Sequence, residues 1–308
     1  MLAPGALVAA GWVVLWVVGP VGSAVAFALL SLTPVAVLGA LLVAAVALGT
    51  RRWVIGGVAL VAALALAAVV LPRALADDDP PTAGVPTLAV ATANLQFGEA
   101  DPAALVALVR AERIDVLGLE ELTPDAEARL GAAGLFDELP FRASEARTGP
   151  GGTGLASRYP LTPSGLPLTP GAFTQVTARV AGPLGPVDVV VAHPAAPVFS
   201  ADAGSWAREI LGLPAPAAPG EPPRLLIGDF NATLDHRPLR ELVGRGHHDA
   251  AATLGDGLVP TWPTDEPFPP FAAIDHVLVS GPLRPAALST HRVAGTDHAT
   301  LVVRVAAP

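Results

Sequence analysis

The 308-residue chain contains no cysteine and no lysine. The absence of cysteine excludes disulfides, thiolate nucleophiles and cysteine-ligated zinc, and it is compatible with either side of a membrane. The first 76 residues also lack Asp, Glu and His, and their only charges are Arg51, Arg52 and Arg73. All 27 acidic residues lie from Asp77 onward, together with 15 of the 18 arginines. The chain therefore divides into an apolar N-terminal part and an acidic remainder.

The apolar part predicts a membrane domain over residues 1–72, with about three transmembrane helices. A span needs roughly 20 apolar residues, so residues 5–49 have room for two. Candidate breaks between those two lie at 19–20 and, as we favour, at 31–34, and residues 53–71 supply the third span. A secretory signal peptide is the alternative, but the apolar stretch is too long and no basic segment precedes it.

Arg51 and Arg52 are the paired positive charges beside a span, and the positive-inside tendency places their loop in the cytoplasm. The third span then runs outward, so we expect a multi-pass protein of the cell membrane whose acidic domain is extracytoplasmic. Arg73 is a single opposing charge on the outer side. Residues 73–86, which include an aspartate run at 77–79, are expected to form a short solvated linker.

In the acidic part, apolar runs typical of buried strands end in polar residues. These residues are Asn94, Glu121, His193, and Asp229 with Asn231. Alternate residues of a strand share a face, so Asp229 and Asn231 are expected at one edge of a sheet. Sites in layered α/β folds gather where strand ends and loops meet. Carboxylate and amide oxygens there suit a hard divalent cation and a phosphate ester.

Six separated segments together resemble the ordered motifs of a known superfamily. They are Ala93-Asn94-Leu95, Asp115 to Glu121, His193, Gly228-Asp229-Phe230-Asn231, Ile274-Asp275-His276 and Thr296-Asp297-His298. Over roughly residues 87–305 they resemble the endonuclease/exonuclease/phosphatase superfamily. With the N-terminal spans and the segments at 152–155 and 261–263, the chain also resembles the membrane-anchored branch that includes VanJ-type teicoplanin-resistance proteins.

The resemblance implies a four-layer α/β sandwich over residues 87–308, in which two packed β-sheets are flanked by helices. It also implies hydrolysis of a phosphate ester with Mg²⁺ or Mn²⁺ as cofactor. The implied metal-binding residues are Asn94, Glu121 and Asp297. The implied catalytic residues are His193, Asp229, Asn231, Asp275 and His298.

The resemblance also implies a role for each catalytic residue. Asp229 would orient or deprotonate the attacking water, and Asn231 would hold a phosphoryl oxygen or the same water. His298 would contact the scissile phosphate, with Asp275 fixing its ring and favouring the imidazolium. His193 would stabilise the pentavalent phosphorus.

Four other polar groups carry weaker expectations. His276 is expected to point to the opposite side from its neighbour Asp275. Residues 235–236 and 247–249 suggest a second metal site or, as we favour, a capped surface helix followed by a loop. Arg158 is open between pairing with phosphate and pairing with a carboxylate.

Three functions remain in competition at this stage. We favour hydrolysis of a lipid-linked phosphate, such as a prenyl phosphate or pyrophosphate, because a short linker holds the acidic domain beside the bilayer. An extracytoplasmic metal-dependent nuclease is the alternative enzyme, although an acidic surface disfavours nucleic acid as a partner. The third hypothesis is a catalytically silent, membrane-tethered binding module with the same fold.

Overall fold

The computed structural model describes residues 2–19, 23–76, 84–197 and 203–307. Residues 77–83 of the predicted linker, including its aspartate run, lie outside the described residues. The helices are α1 (Leu2–Val18), α2 (Ala24–Leu30), α3 (Thr33–Gly49), α4 (Trp53–Val70), α5 (Pro102–Ala111), α6 (Pro124–Ala132), α7 (Leu135–Glu138), α8 (Ala203–Leu211), α9 (Arg237–Val243) and α10 (Ala250–Thr253), with a 3-10 turn at Leu71–Ala74. The strands are β1 (Thr87–Asn94), β2 (Val116–Glu120), β3 (Phe141–Glu145), β4 (Thr153–Ser157), β5 (Leu161–Thr162), β6 (Val176–Gly182), β7 (Gly185–Val191), β8 (Arg224–Asp229), β9 (His248–Asp249), β10 (Asp275–Val279), β11 (Arg284–Arg292) and β12 (Ala299–Ala306).

The strands form two six-stranded mixed sheets. One has the strand order β11-β12-β1-β2-β4-β3, and the other has the order β5-β6-β7-β8-β10-β9. Each sheet contains one parallel pair, β1 with β2 and β7 with β8, and its other pairs are antiparallel.

Alternation along the strands separates the inner core from the two outer cores. Leu88 and Val90 of β1 pack between the sheets with Ile227 of β8. Their neighbour Ala91 faces outward, in a cluster with residues of α5, α6 and α7. Leu226 faces outward on the second sheet, in a cluster with residues of α8 and α9. The layers run helices, sheet, sheet, helices, which confirms the predicted sandwich of two packed sheets with helices.

The helix that follows β1 begins with an aspartate cap and a proline. Asp101 is the N-cap of α5, and its carboxylate accepts a hydrogen bond from Ala103 N at 2.8 Å. Pro102 occupies the first turn, where its missing N–H leaves no hydrogen bond unmade. The apolar face of α5 carries Leu105 and Val109 into the outer core.

Helices α1, α3 and α4 pack on one another through small side chains and present large ones outward. Ala6, Ala44 and Ala59 form one buried cluster between them. In contrast, Leu38 and Val54 are 67% and 81% exposed. A water-soluble bundle has the reverse arrangement, whereas small residues at helix contacts are typical of bundles in lipid.

Among the described residues, one helix, Trp53–Ala74 with 22 residues, is long and apolar enough to cross a membrane. The pair Ala24–Leu30 and Thr33–Gly49, bent by 75°, makes at most one further broken span, and α1 is a shorter apolar helix. The prediction of three transmembrane helices is therefore not confirmed. The favoured break at 31–34 coincides with the bend, but α1 already ends at Val18, beside the other candidate break.

The N-terminal helices are fastened to the sandwich through a buried aspartate. Arg73 donates to both carboxylate oxygens of Asp235, at 2.9 and 2.8 Å, and Trp16 Nε1 donates to Asp235 at 3.0 Å. The Arg240 guanidinium lies over the Trp16 ring, 3.8 Å from its centroid. The predicted surface position of residues 235–236 is wrong, because the N-terminal helices cover both side chains.

Candidate active site

Polar residues occupy one end of the space between the two sheets. On β1, residues 88 and 90 fill the inner core, and the same alternation brings Asn94 to that face. On β8, Ile227 fills the inner core and Asp229 follows on the same face. Asp275 of β10 pairs with Asp229 in the antiparallel register. The inner faces therefore deliver three polar side chains to one place.

Asp229 is the centre of this group. Its Oδ2 accepts a hydrogen bond from Asn94 Nδ2 at 3.0 Å. The Nε2 atoms of His193 and His298 lie 3.7 and 3.8 Å from the same oxygen. Its other oxygen, Oδ1, accepts from the backbone N of Asn231 at 2.7 Å.

A second carboxylate orients His298. His298 Nδ1 donates to Asp275 Oδ2 at 3.0 Å, which leaves Nε2 directed toward Asp229. Thr261 Oγ1 accepts from the backbone N of Asp275 at 3.3 Å and so holds the backbone at the start of β10. Asp297 lies on the other side, with Oδ1 3.9 Å from His298 Nε2 and Oδ2 accepting from Trp262 Nε1 at 2.8 Å.

Glu121 reaches the site because the chain turns sharply after β2. Its φ is 55°, a left-handed conformation that is costly for a residue with a side chain. Its carboxylate accepts from Phe97 N at 2.7 Å and from Asn94 Nδ2 at 3.3 Å. The Asn94 amide thus bridges Glu121 and Asp229, while its own oxygen accepts from Gln96 N at 2.9 Å. Gln96, Phe97 and Asn231 are also left-handed.

The surroundings push the pKa values of the three central groups apart. Burial raises the pKa of Asp229 to about 7, although the charge of His298 opposes that shift. Burial lowers the pKa of His193 to about 3, and the charge of His298 lowers it further, so His193 is neutral at physiological pH. Burial also disfavours charge on His298, but the carboxylates of Asp275 and Asp229 outweigh it and raise its pKa to about 10.

Glu120 is a separate case from the adjacent Glu121. It is fully buried between the sheets, with Thr92 Oγ1 donating to its Oε1 at 2.8 Å. Burial raises its pKa well above the usual range, and the nearby Asp275 and Asp229 add to that effect. Burial and the neighbouring carboxylates therefore favour the protonated form of Glu120.

The polar group lies at the bottom of a cleft of about 520 Å³. Six of its lining residues can act on a phosphate or a cation: Glu121, His193, Asp229, Asn231, Asp297 and His298. Aromatic and aliphatic side chains of the sandwich line one side, among them Phe173 and Phe271. Residues of α2 and of the bend after it, including Val25 and Leu29, line another side.

The donor set fits a hard divalent cation. Carboxylate oxygens of Glu121, Asp229 and Asp297 face the cleft, and oxygen is the donor that Mg²⁺ and Mn²⁺ prefer. Atoms of Asp229, Asp275 and His298 also lie within 4.8 Å of one another and could hold an ion. The raised pKa of His298 keeps that ring protonated at neutral pH, which favours the first set of oxygens.

The structure brings together all eight residues predicted for the site, and it places the weaker candidates elsewhere. His276 is directed away and donates to Asp249 at 2.7 Å. His247 donates to the Pro214 carbonyl at 3.1 Å. Arg158 pairs with Asp115 at 3.2 Å, so its partner is a carboxylate.

Several groups that hold the site residues in place were not predicted from the sequence. Thr261 and Trp262 belong to the segment 261–263, which was noted only as part of the resemblance. Trp262 contacts Asp297 and Thr261 contacts Asp275, and both contacts join residues that are distant in the sequence. Thr296 donates to the carbonyl of Asn94 at 2.8 Å and joins β1 to the segment before β12. The sequence signal for the contact of Thr296 with Asn94 was the motif Thr296-Asp297-His298, in which Thr296 adjoins two predicted site residues.

A two-sheet α/β sandwich with carboxylates and histidines converging at one end is the arrangement of a phosphoester hydrolase. Residues 91–298 match the model of the endonuclease/exonuclease/phosphatase family. The chain belongs to this family, whose members hydrolyse phosphoester bonds. No curated protein is significantly similar to the chain.

Solved structures share the fold at low sequence identity. An endonuclease/exonuclease/phosphatase from Beutenbergia cavernae DSM 12333 is 20% identical, with a TM-score of 0.52 over 72% of each chain. An AP endonuclease from Archaeoglobus fulgidus is 14% identical, with a TM-score of 0.54 over 70% of this chain and 98% of that one. A 3′ phosphatase from Neisseria, bound to a product DNA hairpin, is 16% identical, with a TM-score of 0.51 over 70% and 98%.

Proposed function

We propose that the protein is a membrane-anchored, divalent-metal-dependent hydrolase of phosphate esters that acts outside the cytoplasmic membrane. One observation carries the hydrolase part: Glu121, Asp229 and His298 come from distant segments and line one cleft. Carboxylates suit Mg²⁺ or Mn²⁺, and an imidazolium suits the oxygens of a phosphate. Membership of the family supports the same reaction class.

In the proposed mechanism Glu121 and Asp297 would hold the cation, and Asn94 would fix the position of Glu121. When bound, the cation neutralises charge on the phosphate oxygens. Asp229 has a pKa of about 7, which suits a general base at neutral pH, and it takes a proton from the attacking water. Asn231, whose side-chain nitrogen donates to Pro194 O, has its side-chain oxygen available to orient that water.

The two histidines are proposed to act in different protonation states. His298, with a pKa of about 10, is an imidazolium whose Nε2–H can donate to a phosphoryl oxygen or protonate the leaving group. Asp275 holds its ring in the orientation that this requires. His193, with a pKa of about 3, is neutral and can contribute one N–H to the charge that develops on phosphorus-bound oxygens.

The membrane part of the proposal rests on the N-terminal helices. Their contacts use small residues and their outward surface is apolar, as expected for helices surrounded by lipid. Arg51 and Arg52 favour a cytoplasmic loop between α3 and α4. Arg73, the opposing charge, is neutralised by Asp235 and so weighs little against an extracytoplasmic catalytic domain.

Within this reaction class we favour a lipid-linked phosphate as substrate. The cleft combines phosphate-binding groups with an extended apolar lining, which suits an amphiphile. A nuclease is the second candidate, because structural neighbours include an AP endonuclease and a phosphatase bound to DNA. The net charge of −9 argues against strong binding of a nucleic-acid backbone.

The test uses the full chain in detergent with Mg²⁺ or Mn²⁺. Hydrolysis of p-nitrophenyl phosphate or bis(p-nitrophenyl) phosphate is expected, with loss on addition of EDTA. Asp229→Ala is expected to lower kcat by about 10²- to 10⁴-fold, the usual contribution of a general base. Activity that persists both in EDTA and in the Asp229→Ala variant would contradict the proposal. Prenyl phosphates and a DNA hairpin, offered side by side, separate the two substrate classes.

A further inference from the structure

Helix α2 forms a wall of the active-site cleft although it lies outside the residues that match the family. Val25, Ala28 and Leu29, together with Leu32 in the bend after the helix, line the same cleft as Asp229 and the other reactive groups. The helix has seven residues and stands at 75° to α3. An apolar segment of the N-terminal part therefore borders the reacting centre directly.

The helix is held there by specific contacts with the sandwich. His236 Nε2 donates to the Phe27 carbonyl at 3.0 Å. The Phe27 ring packs edge-on against Trp206 with 5.1 Å between centroids, and it lies 4.5 Å from the His236 ring. Burial lowers the pKa of His236 to about 4, so this contact stays neutral over the physiological range. One face of α2 is thus anchored to the catalytic part.

The opposite face of α2 is apolar and open to the cleft. Val25 and Leu29 are four residues apart, so they lie on one side of the helix, and they are 70% and 37% exposed. Aliphatic side chains at this position offer no hydrogen bond and no charge to the polar groups of a sugar phosphate or a nucleotide. A hydrocarbon chain attached to the phosphate gains roughly 3- to 4-fold in binding for each methylene removed from water.

We propose that Val25 and Leu29 determine specificity by binding the hydrocarbon chain of an amphiphilic phosphate ester, whose phosphate lies among Asp229 and His298. This inference rests on the proposed function and adds the residues that select the substrate. It assigns the recognition of the chain to a segment of the N-terminal part and the chemistry to the sandwich.

The experiment measures kcat/KM of the full chain, in one fixed detergent, for alkyl phosphates with two, eight and fourteen carbons. Each is offered as the monoester and as the p-nitrophenyl diester. For the wild type, kcat/KM is expected to rise with chain length. The Val25→Ala/Leu29→Ala double variant is expected to lose about tenfold or more on the longest ester and less than about twofold on the shortest.

The matched control is Val35→Ala/Leu38→Ala, which makes the same changes at exposed positions of α3 outside the cleft (56% and 67% exposed). It is expected to keep the wild-type dependence on chain length. Equal rates for all chain lengths, equal losses by the two double variants, or an equal loss on short and long esters would each overturn the inference. Absence of hydrolysis of every ester with Mg²⁺ and Mn²⁺ would instead refute the proposed function.

Discussion

Glu120 and Glu121 are adjacent in the sequence, but their side chains have different environments in the structure. Glu120 ends β2 on its inner face, where no water reaches it and its pKa rises well above the usual range. Glu121 has turned into the cleft. Burial raises its pKa as well, but the hydrogen bonds from Phe97 N and Asn94 Nδ2 oppose that shift by stabilising the carboxylate. Glu120 is therefore part of the packing between the sheets, whereas Glu121 is part of the candidate site.

Conservative substitutions at these two glutamates are expected to have different effects. Glu120→Gln keeps the shape of a buried side chain whose protonated form is favoured, so kcat is expected to stay within about threefold. Glu121→Gln removes a charge from the proposed cation site, and we expect kcat to fall by about 10²-fold or more, with a higher Mg²⁺ requirement. Steady-state kinetics over a Mg²⁺ titration measures both effects. Equal losses in the two variants would contradict the assignment.

The melting temperature gives an independent check on Glu120. Its pKa is raised in the folded state, so the folded protein keeps a proton that the unfolded chain releases above its ordinary pKa. Stability from this group is therefore lost as the pH rises. The melting temperature of Glu120→Gln is expected to exceed that of the wild type by more at pH 8 than at pH 5.

The pH dependence of kcat/KM is expected to reflect Asp229 and His298. The base must be ionised, so the rate is expected to rise through about pH 7, and a bound cation will move this limb to lower pH. The acid must be protonated, so the rate is expected to fall near pH 10. Because Asp275 raises the pKa of His298, Asp275→Asn is expected to move the alkaline limb to lower pH.

The control for that shift is Asp249→Asn. Asp249 pairs with His276 at 2.7 Å, a buried Asp–His pair of the same kind that does not line the cleft. This variant is expected to lose stability and to keep the alkaline limb of the wild type. An unchanged limb in Asp275→Asn would show that His298 is not the group that titrates there.

Each residue of the site lies at the end of a strand or within two residues of one. Period-two alternation indicates the face of the strand on which each of Asn94, Asp229 and Asp275 lies. Their convergence on one site was predicted from the resemblance to a known superfamily. The contacts of Trp262 with Asp297 and of Thr261 with Asp275 were not predictable. They depend on a loop conformation that no local periodicity specifies.

At the scale of elements, the 3-10 turn after α4 joins the N-terminal helices to the catalytic loop. The Arg73 and Asp235 side chains in this pair are only 10% and 2% exposed. Asp235 follows Asn231 by four residues, and Arg73 also donates to the Leu234 carbonyl at 3.2 Å. The pair therefore stabilises the loop that carries Asn231.

Removal of one partner is expected to be costly, since it leaves a buried charge without compensation. Arg73→Ala is expected to lower the free energy of unfolding by about 3–5 kcal/mol. Arg237→Ala, which breaks an exposed pair with Glu241 (side chains 55% and 43% exposed), is the control and is expected to cost at most about 0.5 kcal/mol. Thermal unfolding of the full chain in detergent measures both. Similar melting temperatures for the two variants would contradict this account.

The buried strands were easier to predict than the edge strands. β2, β8 and β10 are buried along their whole length and contain short apolar runs, which are recognisable in the sequence. Strands β3 and β11 each lie at a sheet edge, where β3 is largely exposed and β11 is mostly half-buried. Their sequences have no apolar alternation, and they were not predicted. The position of α2 beside the cleft was also not predicted, because an apolar sequence is equally suited to contact with lipid and to the wall of a substrate cleft.

At the scale of the whole molecule, orientation across the membrane is a prediction that the cysteine-free chain makes easy to test. Thr50→Cys places a thiol in the loop between α3 and α4, and Asp125→Cys places one on α6, where the native side chain is 81% exposed. A membrane-impermeant maleimide applied to intact cells is expected to label Asp125→Cys only. Labelling of Thr50→Cys alone, or of neither variant before lysis, would contradict an extracytoplasmic catalytic domain.

The contact between Arg73 and Asp235 has a practical consequence for recombinant work. A truncated protein that begins at residue 84 retains every position of the family match, which starts at residue 91. It nevertheless discards Arg73 and Trp16, two hydrogen-bonding partners of Asp235, and it strips Phe27 from the surface of Trp206. A fragment defined by the family match alone is therefore too short, and recombinant protein should retain the chain from its first helix.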